Sequence, residues 1–361
     1  MAALVRALDV GFGNTKFTTS DSRDGFVCRV FPSLAFYGGG DRTDGLGGKR
    51  KTVVVPVNGL NYEVGPDVEL AADRYRSRHL HDEYTDTDEY RALCAGAIAM
   101  MKVEAIDLLV VGLPVAQYQA RRASLQRSLT GPIPVGQGRT VEIRRVLAVA
   151  QPQGALIDFA TREGGDALAK GRSLVVDVGS RTFDWLVTRG MKVVTNMSSS
   201  VTRGVSDIHR ALAKCLSDRM GVGFNHYEAI DEALRSNRKL RAYQKEYDLR
   251  EFDRLVQTIA DDAVLAIIQQ MDSTHDVENI VLVGGGAFLF QKAIKRRFPL
   301  HRIRAVDESI FANVRGFQLI GEQYAAEKGS GHAEQRAVAA PAPTPSAPAF
   351  EGSGERRWPS T

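Results

Sequence analysis

The chain has 361 residues, of which 43% are hydrophobic and 25% charged, with a formal net charge of +4. That length allows two domains of roughly 100–200 residues each, and the balance is that of a folded globular protein. No run of about 18 uncharged apolar residues exists and the first residues are too short for a signal peptide, so neither a membrane span nor secretion is expected.

In chain order, residues 4–10 read as a strand entering a glycine-rich turn. Residues 16–19 and 25–31 continue as strands, giving a hairpin-rich opening sheet. Residues 38–48 contain six glycines and read as a mobile loop. Residues 53–57 and 60–64 flank Asn58-Gly59, the dipeptide of a two-residue hairpin turn. Helical periodicity covers 87–102, and the continuous apolar run 106–111 is that of a buried strand, ended by Leu113-Pro114. Residues 141–150 read as one strand, Gln151-Pro152-Gln153-Gly154 as a break, and 155–162 as a short helix. Gly164-Gly165 is the first plausible domain boundary.

The second half begins as the first does. A strand over 173–176 ends in Asp177-Val178-Gly179, and 183–188 and 192–196 read as two more strands. Helices are expected over 205–218, 226–236 and 249–271. The last of these places Phe252, Leu255, Val256, Ile259, Ala263, Ile267 and Met271 on one face. A buried strand over 280–283 runs into Gly284-Gly285-Gly286, and a final helix covers 312–327. From Lys328 the composition turns to Gly, Ser, Ala and Pro, which cannot bury a core and reads as a disordered tail. The basic runs Lys49-Arg50-Lys51 and Lys295-Arg296-Arg297 read as solvated faces, and no sequence-specific DNA-binding motif stands out. Cys28, Cys94 and Cys215 are odd in number and lack ligand spacing, so neither a disulfide framework nor a zinc site is indicated, and a reducing cytoplasm is expected.

Three motifs carry chemistry. In Asp9-Val10-Gly11-Phe12-Gly13-Asn14-Thr15-Lys16, two glycines let backbone amides approach an anion without a Cβ in the way. Lys16 supplies a point charge and Asp9 a carboxylate suited to the water shell of magnesium. Taken alone this is also the pattern of a plain hairpin turn. The same order of residue types returns 168 positions later (from 9 to 177) as Asp177-Val178-Gly179-Ser180-Arg181-Thr182-Phe183-Asp184. Two such turns from two halves can clamp one polyphosphate. The third motif is the glycine triplet before Ala287, where a strand opens into a helix and the backbone can lie flat against a base or phosphate.

As a set, these motifs resemble those of the actin, Hsp70 and sugar-kinase superfamily. Residues 146–156 and 312–317 stand where its two connecting segments would lie. Within it, the first motif and Val111-Gly112-Leu113-Pro114-Val115-Ala116-Gln117-Tyr118 look most like the ParM/StbA plasmid-segregation branch and the ParM-like component called PRTRC system protein D. The resemblance implies an α/β fold of duplicated actin-like (ribonuclease H-like) domains flanking a nucleotide cleft. Domain I would span 1–163 with a small insertion at about 33–80, domain II 164–327, and the tail 328–361.

It also implies ATP and magnesium as ligands. Asp9 and Asp177 would hold magnesium through water. Gly11, Phe12, Gly13, Asn14 and Lys16 would line the phosphates from one side, and Gly179, Ser180, Arg181 and Thr182 from the other. Gly204, Gly284, Gly285, Gly286 and Ala287 would border the nucleoside. Gln153 falls where the family places a residue near the attacking water; otherwise it is a loop residue capping a helix. Ser180-Arg181 departs from the small pair usual in this branch. Arg181 could add a cation at the terminal phosphate or pair with Asp184. The implied function is a slow ATPase that assembles into filaments in DNA segregation, reaching DNA through an adaptor protein. A small-molecule kinase or a non-polymerising scaffold of the same fold is the alternative, with Asp107 and Asp158 as the acids a kinase base could come from.

Overall fold

A computed structural model describes residues 3–22, 25–38, 50–71, 83–163, 171–271 and 273–338. The loop expected at 38–48 (from Gly39 on), the boundary Gly164-Gly165 and the end of the tail from 339 lie outside the described residues.

The first half opens with β1 (Val5–Val10), β2 (Asn14–Ser22) and β3 (Gly25–Pro32). Then come β4 (Phe36–Tyr37), β5 (Val53–Val57), β6 (Leu60–Val64), α1 (Asp88–Met100), β7 (Ala105–Ile106) and β8 (Leu108–Leu113). It closes with α2 (Val115–Leu129), β9 (Gly131–Gly136), β10 (Arg139–Ile143), β11 (Val146–Ala150) and α3 (Gln151–Glu163). The main sheet has the order β3-β2-β1-β8-β11. β1 runs antiparallel to β2 and parallel to β8, and β8 parallel to β11. Every residue of β1 and β8 is buried, as central strands covered on both faces require. Two small sheets, β4-β6-β5 and β7-β10-β9, stand beside it. The Asn58-Gly59 turn has φ of 48° and 79°, the left-handed pair that such a hairpin needs.

The second half begins with β12 (Arg172–Val178), β13 (Phe183–Arg189), β14 (Lys192–Val193) and β15 (Ser199–Val201). It continues through α4 (Val205–Met220), α5 (Tyr227–Ser236), β16 (Leu240–Ala242), β17 (Lys245–Tyr247) and α6 (Asp253–Gln270). It ends with β18 (Val277–Val283), α7 (Ala287–Arg297), β19 (Ile303–Ala305) and α8 (Ala312–Val338). Its sheet has the order β14-β13-β12-β18-β19, with β15 also on β13. The strand directions repeat those of the first half: antiparallel on the hairpin side, parallel across β12, β18 and β19. The fold is therefore the same α/β unit twice, and the Asp-containing turns occupy equivalent places after β1 and β12.

Several boundaries differ from the sequence expectation. The single strand over 141–150 is two strands in different sheets, parted at Arg144-Arg145. The break at Gln151-Pro152-Gln153-Gly154 is the first turn of α3, where proline is tolerated because its missing N–H has no helical partner. α2 and the hairpin β16–β17 were not anticipated. The strand over 192–196 stops at Val193 and turns into a short 3-10 segment. α6 begins only after a 3-10 turn at Leu249–Phe252. α8 runs on to Val338, past the Glu327 expected. The basic run on α7 is exposed, as expected of a solvated face, with Lys295 donating to the carbonyls of Pro299 and His301 and Arg296 to Asp261. Among the described residues, no helix is long and apolar enough to cross a membrane.

The halves meet where α3 crosses the start of α8. The two helices touch backbone to backbone: a Cβ on Gly316 would lie 1.8 Å from the Gly154 carbonyl oxygen. Phe317 fills the space beside Gly112 and Gly154. Next to the crossing, the buried Arg315 donates to both oxygens of Asp158 at 3.1 Å. Gln318 joins α8 to the first sheet, accepting from Thr18 at 2.6 Å and donating to the Val5 carbonyl at 3.1 Å.

Candidate functional site

The two Asp-containing turns and the glycine triplet surround one cavity of about 580 Å³. The turns close identically. The Gly11 N–H donates to the Asn14 carbonyl at 3.1 Å, and the Gly179 N–H to the Thr182 carbonyl at 2.9 Å. Gly13 comes so close to the second turn that a Cβ there would lie 2.8 Å from the Ser180 Cβ. Gly284 has φ of +89°, and a Cβ on it would lie 2.4 Å from an Asp177 carboxylate oxygen, so glycine is required. The Gly286 N–H donates to the Val178 carbonyl at 2.9 Å, tying the triplet to the end of β12.

Asp9 and Asp177, both buried, face this cavity from opposite halves. Asp9 accepts from Lys16 at 3.0 Å and from Gln151 at 2.7 Å. Asp177 accepts from Asn313, at the start of α8, at 2.6 Å. Burial raises the Asp177 carboxyl above the usual range; the Asn313 hydrogen bond opposes this, and the charge of Asp9 adds to it. Two carboxylates that repel in a buried cleft suit a divalent cation between them. Among the described residues, no cluster of three or more His, Cys, Asp or Glu could hold a metal directly. A cation here would keep water and ligand oxygens in its shell, the mode that magnesium accepts.

Most of the residues singled out in the sequence are brought together. Gly11, Phe12, Gly13, Asn14, Lys16, Gly179, Ser180, Thr182, Gly284, Gly285 and Gly286 all line the cavity with the two aspartates. Four others stand back from it. Gln153 reaches back along its own helix to accept from the Ala150 N–H at 2.9 Å, the helix-capping role. Arg181 lies over the Phe12 ring, its guanidinium carbon 5.2 Å from the ring centroid. Gly204 is the N-cap of α4, packed so tightly on the second turn that a Cβ would meet the Ser180 carbonyl oxygen at 2.5 Å. Ala287 is buried as the first residue of α7.

Other residues take part without having been singled out. Gln151, two positions before the expected glutamine, lines the cavity, as does Gln117. Pro152 was read as a break, which hid the helix start that aims Gln151 at Asp9. Farther along the cavity, Asp231 stands 3.4 Å from His209 and 2.6 Å from Arg235. Burial alone would raise the Asp231 carboxyl, but these two neighbours outweigh it and hold it below the usual range. The sequence identifies α4 and α5 as helices but not which of their polar residues turn inward.

Asp184 is fully engaged away from the cavity. It accepts the Val115 N–H at 3.0 Å, and Thr182 and Ser200 are also hydrogen-bonded to it. Ser200 in turn accepts the Ala116 N–H at 3.0 Å. Because Pro114 offers α2 no side-chain cap, these second-half residues cap a first-half helix. Burial, reinforced by the charge of Asp177 across the ladder, pushes the Asp184 carboxyl up to about 7 despite those hydrogen bonds. The native state thus binds this proton more tightly than the unfolded chain. Its contribution to stability is full below about pH 4 and is lost as pH rises through about 7. Asp184→Asn is therefore expected to melt higher than the parent protein at pH 8, by about 2 kcal/mol after allowing for the coupling to Asp177. Calorimetry should find the difference shrinking toward zero near pH 4; an equal difference at both pH values would show that charge is not its source.

Comparison with known proteins agrees with this architecture. A family profile described as the N-terminal domain of actin-like proteins matches residues 7–154, and one described as the C-terminal domain of the archaeal actin homologue MreB-like proteins matches 175–296. No curated protein sequence matches the chain. Among solved structures, Ta0583, an archaeal actin homologue, superposes with a TM-score of 0.74 at 22% identity, covering 89% of this chain and 99% of that one. The ParM protein of psk41 gives 0.64 at 21% identity, covering 91% and 99%. A 15-stranded ParM filament from Clostridium botulinum gives 0.68 at 19% identity, covering 90% and 100%. Ta0583 has also been crystallised in complex with ADP. One profile matches each half, each takes in that half's Asp-containing turn, and the duplicated sheets facing one cleft are the fold these relatives share: the chain belongs to the actin-like protein family.

Proposed function

We propose that this protein binds ATP with magnesium in the cleft, hydrolyses it slowly, and uses the cycle to govern assembly into filaments. The observation that carries this reading is the pair of matching Asp–Gly turns on opposite walls of one cavity, with a glycine triplet beside them. Backbone amides of Gly13 and Asn14 would meet the phosphates from one side, and those of Ser180 and Thr182 from the other, while the Gly11 and Gly179 amides hold the turns closed. Lys16, already beside Asp9, adds a positive charge. Asp9 and Asp177 would hold magnesium through water; when bound, that ion neutralises charge on the phosphates. Gly284, Gly285 and Gly286, which line the cavity, would border the nucleoside.

Gln151, which lines the cavity and donates to Asp9, would orient a water molecule near the terminal phosphate, but an amide is a poor base. Hydrolysis would then rest on positioning and be slow. A kinase would need a carboxylate base in the cleft. Neither of the two acids named from the sequence lines the cavity, since Asp107 is held by the Leu4 N–H at 2.7 Å and Asp158 by Arg315, so neither supplies that base. The resemblance of its motifs to those of the ParM/StbA branch and PRTRC system protein D supports a role in segregating plasmid or mobile-element DNA through an adaptor, in the cytoplasm.

Right-angle light scattering of the purified protein tests the reading. With magnesium and ATP, or a non-hydrolysable analogue, scattering is expected to rise, and with ATP to decay as the nucleotide is spent. A flat trace over a wide range of protein concentration, in protein that binds ATP, would leave nucleotide binding without filaments.

A further inference from the structure

The tips of the two turns touch each other across the cleft. Phe12 belongs to the first half and Arg181 to the second, and the guanidinium carbon lies 5.2 Å from the ring centroid. The ring is backed from behind. Tyr84 stacks on it at 4.6 Å with planes inclined by 22°, and Tyr90 meets Tyr84 edge-on at 5.2 Å, both tyrosines buried. Beside this pair, Gly13 packs against Ser180 with no room for a methyl group. An arginine suits such a contact because its planar, weakly hydrated guanidinium lies flat on an aromatic face.

Gly11, Gly13, Gly179 and Ser180, the neighbours of Phe12 and Arg181, line the cavity itself. Any motion that draws the halves apart at the turns must separate the ring from the guanidinium. We propose that Arg181 and Phe12 form a clasp across the cleft that holds the two halves together and slows the exchange of nucleotide bound between them. The clasp rests on the reading of the cleft as a nucleotide site. It gives Arg181 a different task from that of a cation on the terminal phosphate: it acts on the lifetime of the complex and leaves the chemical step to others.

Release of ADP carrying a fluorescent N-methylanthraniloyl group, chased with unlabelled ADP in the presence of magnesium, tests this. Arg181→Ala and Phe12→Leu should each speed release by about 3- to 30-fold, the range of a cation–aromatic contact. The double variant should be no faster than the faster single one, because both changes break one contact. Arg181→Lys, which keeps a cation, should fall between. Unchanged release in Arg181→Ala with slowed hydrolysis would overturn the clasp in favour of a phosphate contact, and effects that multiply in the double variant would also overturn it. If the parent protein fails to hold the labelled ADP, the nucleotide reading falls first. The clasp is then judged in the ligand-free protein by hydrogen exchange at residues 10–14 and 179–183. Arg181→Ala should quicken exchange in both turns, and unaltered exchange would overturn the clasp.

Discussion

Gly316→Ala is expected to destabilise the protein by about 3 kcal/mol or more and to lower its melting temperature by roughly 6–12 °C. In an ordinary helix interior the same change would help, since alanine is favoured over glycine by about 1 kcal/mol. Here the sign reverses because of what the methyl would meet. The Gly154 carbonyl oxygen would stand 1.8 Å away, and it belongs to backbone at the start of another helix. A side chain in the way could rotate; a carbonyl held in a helix cannot. The only relief is to push α3 and α8 apart, which would loosen Phe317 from its seat and strain the buried Arg315–Asp158 pair. Gly223→Ala is the control, because a Cβ there meets nothing within 4 Å. Scanning calorimetry of the two variants decides the matter: equal melting temperatures would mean that the helices do not cross at Gly154 and Gly316.

Asp177→Ala is expected to lower ATP turnover by about a hundredfold or more, in line with removing a group that acts on transition-state charge. The carboxylate sits at the end of β12, pressed by Gly284 and held by Asn313, with little freedom to be replaced by a neighbour. Losing it also removes the repulsion from Asp9, so the variant should fold and can be compared with the parent protein. Two readouts separate the roles. Phosphate release reports turnover, and the rise in melting temperature caused by magnesium together with ATP reports binding; saturation at a hundred times the dissociation constant is worth about 2.7 kcal/mol. The magnesium-dependent part of that rise should vanish in the variant, while any magnesium-free effect of nucleotide remains. Parent-like turnover would remove Asp177 from the cation site.

The parts of the fold that were legible in the sequence share a physical reason. β8 and the stretches 174–176 of β12 and 280–283 of β18 are covered on both faces, so they appear as apolar runs, while β1 carries Arg6 and Asp9 among its apolar residues; glycine or aspartate marks where each strand meets the cleft. The long helices α4 and α6 show their buried stripes directly. α2 did not, because only Leu125 and Leu129 of its fifteen residues are buried and its first amides are capped from outside the helix. That cap comes from Asp184 and Ser200, 69 and 84 residues away along the chain, a distance no local pattern spans. The glutamine of the cleft was misplaced for a related reason. Gln151 and Gln153 are the same residue type two positions apart on a helix, hence on different faces. Which one faces Asp9 depends on where the helix starts, and Pro152 reads as a stop although it sits in the first turn. Asn313 lay inside a segment identified as a connection, but its carboxylate partner 136 residues earlier becomes evident only in three dimensions.

The last helix also bears on the order in which the chain can fold as it is made. Val5, Ala7, Leu108 and Val110 form one face of the first sheet, and Val314 and Phe317 of α8 complete the cluster that covers it. A methyl on Gly321 would meet Val5 and Val110 at 2.5 and 2.8 Å, so the helix lies directly on those strands. During synthesis the first half therefore leaves the ribosome with an apolar sheet face bare, and it stays bare while the whole second half is translated. The nascent first half is expected to offer this face to chaperones until residue 321 has emerged, and a fragment ending at 163 is expected to keep it exposed.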